Sequence, residues 1–381
     1  MHIFGNVAEY NPFHKGHKYQ LEKARELGAT HIVCVMSGDC VQRGDVAIFS
    51  KYERAEVAVK NGADLVLELP SPFSCSNGEV FARSAVHILA GLGENVVEKI
   101  FFGCETDNPE RLIKSADFSQ QMKDSAEVRA SLSAGYSYPR ALSECSGEFG
   151  DIFRGANNVL GIEYINACKK LAPWISPLPI KREGSAHDSE ISGEMPSGSY
   201  IRNLIENGEN GDSFLPGKFS GEPAFIKNAE KEILYILCSA ERENVENLPD
   251  VSVNIANRFF FAVNSGVANL SDFAEKIKSK NITLARIRRM IIHLVLGVKS
   301  EDIKLSPYGR ILAFNDKGAE ILRIAKKSNF PVDVSLKKLE NTSLYAERIS
   351  HLEQNAVRFR EICCRDFSGF SNEYTRKITK I

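Results

Sequence analysis

Residues 4–24 read FGNVAEYNPFHKGHKYQLEKA. The apolar run Ile3–Ala8 predicts a strand, and a polar loop containing Pro12 follows it. Leu21, Ala24 and Leu27 then recur at helical spacing, which predicts a helix over 17–27 ended by Gly28. His14 and His17 stand at the junction with Lys15 and Gly16 between them. The same alternation continues outward. Residues 32–36 predict a second, wholly apolar strand. Ser50 and Glu53 predict a capping box opening a helix that closes near Gly62. Leu65–Leu69 predicts a third strand, Ser76 and Glu79 a second box for a helix ended by Gly91, and 97–102 a fourth strand. Continuous apolar strands separated by helices predict an α/β fold, a doubly wound parallel sheet covered on both faces. Ligands of such sheets bind beyond the carboxyl ends of the strands. The loop carrying the two histidines directly follows the first strand.

Beyond these units, residues 108–151 read as helices and a loop inserted into the alternation. NNVLGIEYINACKKL predicts a helix, PLPIK a last strand and SGSYIRNLIENG another helix. From 221 onward helical spacing dominates, including LARIRRMIIHLVLGV, whose Arg286, Arg288, Arg289 and His293 surround an apolar stripe, and FNDKGAEILRIAKKS. The expected organisation is a catalytic domain over 1–210 and a mainly helical C-terminal domain over 221–381.

The 381 residues are 43% hydrophobic and 25% charged, as in globular proteins. No apolar run approaches the roughly 20 residues of a membrane span, and no signal peptide is read at the N-terminus. The nine cysteines form no C-x-x-C pair, so no metal site is expected and a reduced, cytoplasmic setting fits. From residue 281 onward 19 Lys+Arg stand against 11 Asp+Glu, a balance of +8 that leaves −9 on the first 280. A basic end on a near-neutral chain suits a polyanion partner, and Arg286, Arg288 and Arg289 are its candidate contacts. Solvated basic helices are the plainer reading.

Five polar clusters fall at predicted strand ends or the adjoining helix starts. His14 and His17 can donate to phosphate oxygens at a helix N-terminus, and Gly16 would admit a close approach of a nucleotide. The same pair could also ligate a metal or simply cap the helix. The loop after the second strand holds Asp39, Gln42 and Arg43, followed by Lys51, Tyr52 and Arg54, and could bind a small substrate. Gly103 ends the fourth strand, with Glu105 and Asp107 read as solvated carboxylates. Of Asn157 and Asn158, one is expected as an N-cap and the other as free for a ligand. Arg182 follows the last strand, and Ser197, Ser199 and Arg202 surround the next helix start, a second phosphate cradle.

These residues carry a resemblance. EYNPFHKGH with SGSYIR resembles the H-x-G-H and I-S-S-T-x-x-R pair of the nucleotidylyltransferase superfamily. The longer strings AEYNPFHKGHKYQL, MSGDCVQRGDVAIFSKYERAEVAVKNGADLVLELP, FFGCETD, NNVLGIEYI and IKREG are similar to the tRNA(Met) cytidine acetate ligase family over most of the first 205 residues. The resemblance implies a nucleotidylyltransferase-like ATP-binding domain. It also implies an ATP-dependent ligase that makes acetyladenylate from acetate and then acetylates N4 of the wobble cytidine (C34) of elongator tRNA(Met). The implied ATP site is Val7, Ala8, Glu9, Tyr10, Asn11, Pro12, Phe13, His14, Lys15, Gly16, His17, Lys18, Tyr19 and Gln20, with Gly103, Asn157 and Arg182. His14 and His17 are the implied catalytic pair, Ser199 and Arg202 further phosphate contacts, and Mg2+ the counter-ion of ATP. Two other readings share these residues. One is a small-molecule nucleotidylyltransferase acting on a phosphorylated metabolite, the other a non-catalytic nucleotide-responsive protein.

Overall fold

The computed structural model describes residues 1–106, 108–182, 196–376, 378 and 380–381. Asp107 and the whole stretch EGSAHDSE lie outside the described residues.

Five strands predicted from the alternation are present: β1 Ile3–Ala8, β2 His31–Ser37, β3 Leu65–Leu69, β4 Lys99–Cys104 and β5 Ser176–Lys181. Two more come from beyond residue 221: β6 Gly309–Phe314 and β7 Val332–Asp333. All seven form one sheet in the order β5-β4-β1-β2-β3-β6-β7. Every pairing is parallel except β3 with β6. The mainly helical later half therefore gives two strands to the first half's sheet. RILAF is a short apolar run flanked by helices, and its length alone does not tell strand from buried helix.

The side chains of each strand divide by parity, as the two-residue repeat requires. Ile3, Val7, Val33, Val35, Leu65 and Leu67 pack on one face. Phe4, Ile32, Cys34, Met36 and Val66 pack on the other. Helices α1 Lys15–Glu26 and α2 Lys51–Lys60 cover the second face through Leu21, Ala24, Ala55 and Ala58. Helix α3 Gly78–Gly91 covers the first through Phe81, Ala85 and Leu89. The insertion between β4 and β5 holds α4 Pro109–Met122, α5 Ala126–Ser133, α6 Tyr138–Cys145 and α7 Ala156–Leu171. Further helices follow: α8 Gly198–Glu206, α9 Leu284–Leu296, α10 Asp316–Ala325 and α11 Leu344–Ile362.

Ser50 caps α2 as expected, accepting from the Glu53 N–H at 3.3 Å and donating to its carboxylate at 2.9 Å. The second expected box is not formed, and the cap lies one residue further on. Asn77 caps α3, accepting from the Val80 N–H at 3.0 Å, while Ser76 donates to the Pro72 carbonyl at 2.7 Å. Asn and Ser are near-equal caps, so the sequence alone does not choose between them.

The sheet opens where its strand order reverses. Pairing of β1 with β4 stops at Asn6↔Phe101. Pairing of β1 with β2 runs on to Ala8↔Met36, and that of β4 with β5 to Cys104↔Lys181. The last residues of β1 and β4 thus part from one another, which leaves a crevice at their carboxyl ends.

Candidate active site

That crevice is the mouth of a cleft of about 1080 Å³, lined by Val7, Ala8, Phe102 and Gly103 from the parted strands. The loop from β1 contributes Glu9, Tyr10, Asn11, His14 and His17, and α1 adds Gln20. Asn157, Arg182, Ser199, Arg202, Arg286 and Arg289 line it as well. Of the expected ATP residues, Pro12, Phe13, Lys15, Gly16, Lys18 and Tyr19 do not line it. Phe13 is wholly buried and packs edge-on to Tyr10, so it supports the loop from beneath.

Helix α1 begins two residues earlier than its spacing predicts, because His14 is its N-cap. Periodicity cannot see a cap made by an imidazole. The Gly16 N–H donates to His14 Nδ1 at 3.1 Å, and the His14 N–H donates to His17 Nδ1 at 3.2 Å. This is a reciprocal capping box built from two rings. Each neutral ring therefore carries its proton on Nε2, where it can be donated. The rings stack with centroids 3.8 Å apart, and Tyr10 meets His17 edge-on at 4.9 Å. Tyr10 itself has a φ of 48°, a costly conformation for a bulky residue. Its phenol is anchored by donating to Asn6 Oδ1 at 3.0 Å, and Asn6 donates to the Phe101 carbonyl at 3.0 Å. The strand pair thereby fixes the loop.

Burial, then Arg182 and Arg202, lower the His14 pKa to about 3. Burial, then His14 and Arg182, hold His17 well below the ordinary imidazole value. Both rings stay neutral at physiological pH while the two guanidiniums supply the positive charge. Protonation is refused by the folded chain and accepted by the unfolded one. The linked stability is therefore complete above pH 6.5 and is lost as pH falls from 6.5 toward 3. The imidazole resonances of His14 and His17, followed by NMR, should accordingly show no titration step between pH 8 and 5. A step centred near 6.5 would contradict neutral, shielded rings.

Gly16 is explained by the cap rather than by ligand approach. A Cβ there would lie 3.0 Å from His14 Cε1 and 3.1 Å from Nδ1. Gly16→Ala should leave the melting temperature unchanged or slightly raised, since alanine is the better helix former. It should cut the rate of any reaction that the two rings serve by about 100-fold through displacement of the His14 ring. A wild-type rate would show that the ring position is not critical.

At the end of β4, Glu105 is exposed but committed to a cap. Its carboxylate accepts from the Asn157 N–H at 3.0 Å, the Asn157 side-chain amide at 2.6 Å and the Asn158 N–H at 2.7 Å. The N-cap of α7 is Gly155, so neither asparagine takes that position. Asn158 is buried and accepts from the Glu105 and Thr106 N–H groups at 2.9 and 3.2 Å. Asn157 Oδ1 accepts from Arg182 at 3.2 Å, which orients that guanidinium in the cleft. Ser197 caps α8 by accepting from the Tyr200 N–H at 3.2 Å. Arg202 donates to the Asn11 carbonyl at 2.7 Å and to Ser199 Oγ at 3.1 Å, which ties α8 to the histidine loop. The N-termini of α1 and α8 thus border one cleft, an arrangement suited to a polyphosphate.

Other expectations are corrected. Asp39, Lys51 and Arg54 do not face a substrate, because all three are buried. Arg54 donates to the carbonyls of Phe49, Glu9, Ser37 and Gly38. Lys51 meets four carboxylates: Asp39, Glu68, Glu353 and Glu373. Two of these come from the far end of the chain, which no local pattern reveals. Arg286 and Arg289 turn into the cleft and pair with Asp250 at 2.8 and 3.9 Å, while Arg288 is exposed. The cleft also holds Tyr136, Tyr138, Phe153, Glu163 and Tyr164, none of which the sequence reading singled out. Among the described residues no cluster of three His, Cys, Asp or Glu side chains could hold a metal ion. No helix among them is long and apolar enough to cross a membrane.

A family model described as "HIGH Nucleotidyl Transferase" matches residues 1–372. The tRNA(Met) cytidine acetate ligase of Clostridium novyi (strain NT) is 34% identical over 90% of this chain and 92% of that protein. That of Acetivibrio thermocellus is 32% identical over 99% of each. The chain belongs to the tRNA(Met) cytidine acetate ligase family. With that membership comes the enzyme class, a ligase. Its fold is similar to crystal structures of Thermotoga maritima TmcAL. The apo form matches with a TM-score of 0.88 at 29% identity over 98% of this chain and 97% of that one. The form bound with alpha-thio ATP matches with a TM-score of 0.88 at 28% identity over the whole of both chains. The resemblance carried by the histidine loop in the sequence is thus matched along almost the entire length.

Proposed function

We propose that this protein joins acetate to ATP as acetyladenylate, releasing pyrophosphate, and then acetylates N4 of the wobble cytidine (C34) of elongator tRNA(Met). The observation that carries this reading is the pair of stacked, neutral imidazoles, each aiming an Nε2–H from the start of α1 toward a cleft that Arg182 and Arg202 make positive. Acetate is a poor electrophile, and its carboxylate oxygen must attack the α-phosphorus of ATP to become activated. Charge then grows on the phosphate oxygens as pyrophosphate leaves, and fixed N–H donors with nearby guanidiniums stabilise it. Neutral rings suit the task, because a donor that does not titrate keeps its role across the working pH range. The family's name and the ATP analogue bound by the Thermotoga maritima neighbour support the same reading. Mg2+ accompanies ATP in this proposal, held mainly by the phosphates and water. Val7–Asn11, His14, His17, Gln20, Gly103, Asn157 and Arg182 form the proposed ATP site, with Ser199 and Arg202 at the phosphates. Arg286, Arg288 and Arg289 remain proposed tRNA contacts, Arg288 from the surface and the other two from the cleft wall.

The deciding experiment is incubation with ATP, labelled acetate and total tRNA, followed by nucleoside analysis. Label in N4-acetylcytidine that depends on ATP is the expected result. Label in no nucleoside, or a nucleotidyl group transferred to a small phosphorylated metabolite instead, would overturn the proposal.

A further inference from the structure

The cleft, about 1080 Å³, lies at the upper end of the roughly 300–1,000 Å³ range of single-ligand pockets. Part of its lining comes from the insertion between β4 and β5: Tyr136, Tyr138 and Phe153, with Leu160, Glu163 and Tyr164 of α7. The start of α3 lies beside Glu163, where Gly78 would place a Cβ 3.7 Å from its Cγ. Aromatic rings around a polar group are what an enzyme uses to hold an unstacked base and read its hydrogen-bonding edge.

Several polar side chains line this part of the cleft, and Glu163 stands out because Glu79, which also lines it, is already paired with Lys123. Glu163 is half-buried and takes no hydrogen bond from the described residues. The neighbouring cation, Lys123, is committed to Glu79 at 2.9 Å. Burial first, then the Glu79 charge, push the Glu163 pKa up to about 7. A carboxyl held there is poised to accept a proton.

We propose that this part of the cleft receives the acceptor cytosine base, with Glu163 facing its exocyclic amine. The inference rests on the activity proposed above and deepens it. The amine lone pair forms the bond to the acetyl carbon, and the acetyl–oxygen bond to AMP breaks. AMP leaves with the electron pair, and one amine proton passes to the Glu163 carboxylate. Glu163 then acts in the transfer step and not in adenylation.

The test separates the two half-reactions in Glu163→Gln. Acetate-dependent exchange of pyrophosphate into ATP should stay within twofold of wild type, in rate and in KM for ATP and acetate. That retained activity is also the control for folding. Single-turnover acetylation of unmodified tRNA by the same preparation should fall at least 100-fold, with partial recovery in Glu163→Asp. Transfer at the wild-type rate would overturn the inference. So would a raised KM for ATP or acetate in the exchange assay, which would assign this part of the cleft to one of those reactants. Absence of exchange in the unaltered protein is a different failure, and it would remove the activity and the inference together.

Discussion

Replacing His17 by alanine is expected to lower acetate-dependent pyrophosphate exchange by about 10²–10³-fold, the usual effect of deleting one donor to a developing oxyanion. The change removes an Nε2–H from the cleft, and it removes the acceptor of the His14 N–H. It also leaves His14 without the ring it stacks on at 3.8 Å. Loss of the reciprocal cap costs about 1 kcal/mol of stability, too little to unfold a chain of this size. The rate should therefore collapse while the circular dichroism spectrum and cooperative melting persist. His17→Asn restores a small acceptor near the cap but offers no donor at the Nε2 position, and it should regain the stability without the rate. Turnover like that of wild type in either variant would remove His17 from the chemistry and return it to a purely capping role.

Lys51→Met is expected to cost about 3–5 kcal/mol, the penalty of leaving a buried charge cluster uncompensated. Lys51 Nζ lies 2.6 Å from Glu68 and 2.7 Å from Glu373, and 3.3 and 3.4 Å from Glu353 and Asp39, with none of these side chains in contact with water to any extent. Arg310 pairs with Glu373 at 3.0 Å and with Glu68 at 3.6 Å. Burial works against ionisation of Glu373, yet Lys51 and Arg310 pull its pKa down to about 2. The same two cations hold Glu68 below its ordinary value against its own burial. Glu353 goes the other way: burial and the adjacent Glu68 charge push it well above the carboxylate range, so it keeps its proton. Glu353→Gln, which imitates that neutral form, should therefore cost less than about 1 kcal/mol. Urea denaturation followed by circular dichroism compares the two. Equal losses in both variants would mean that Glu353 is ionised and that the assignment of charges is wrong.

Part of this was legible in the residues. Alternation between apolar runs and helical spacing identified β1 to β4, because a strand buried on both faces must be apolar throughout, while β5 is a half-exposed edge strand read from its place after α7. The place of His14 and His17 after the first strand located the cleft, because parallel sheets present their loops at one end. The C-terminal strands were not legible. Gly309–Phe314 is apolar like a buried helix turn, and only its pairing with β3 and β7 makes it a strand. The same holds for Lys51, which reads as a surface lysine at a helix start until Glu353 and Glu373 are brought against it.

The sequence by itself determined the sheet's first five strands, the histidine junction and the family, since each is written in short-range pattern. Tertiary structure decided the rest: which imidazole nitrogen carries the proton, which arginines turn inward, and which glutamates are charged. Those properties depend on burial and on neighbours hundreds of residues away along the chain, and the electrostatic cost of leaving water is set only once the chain has folded.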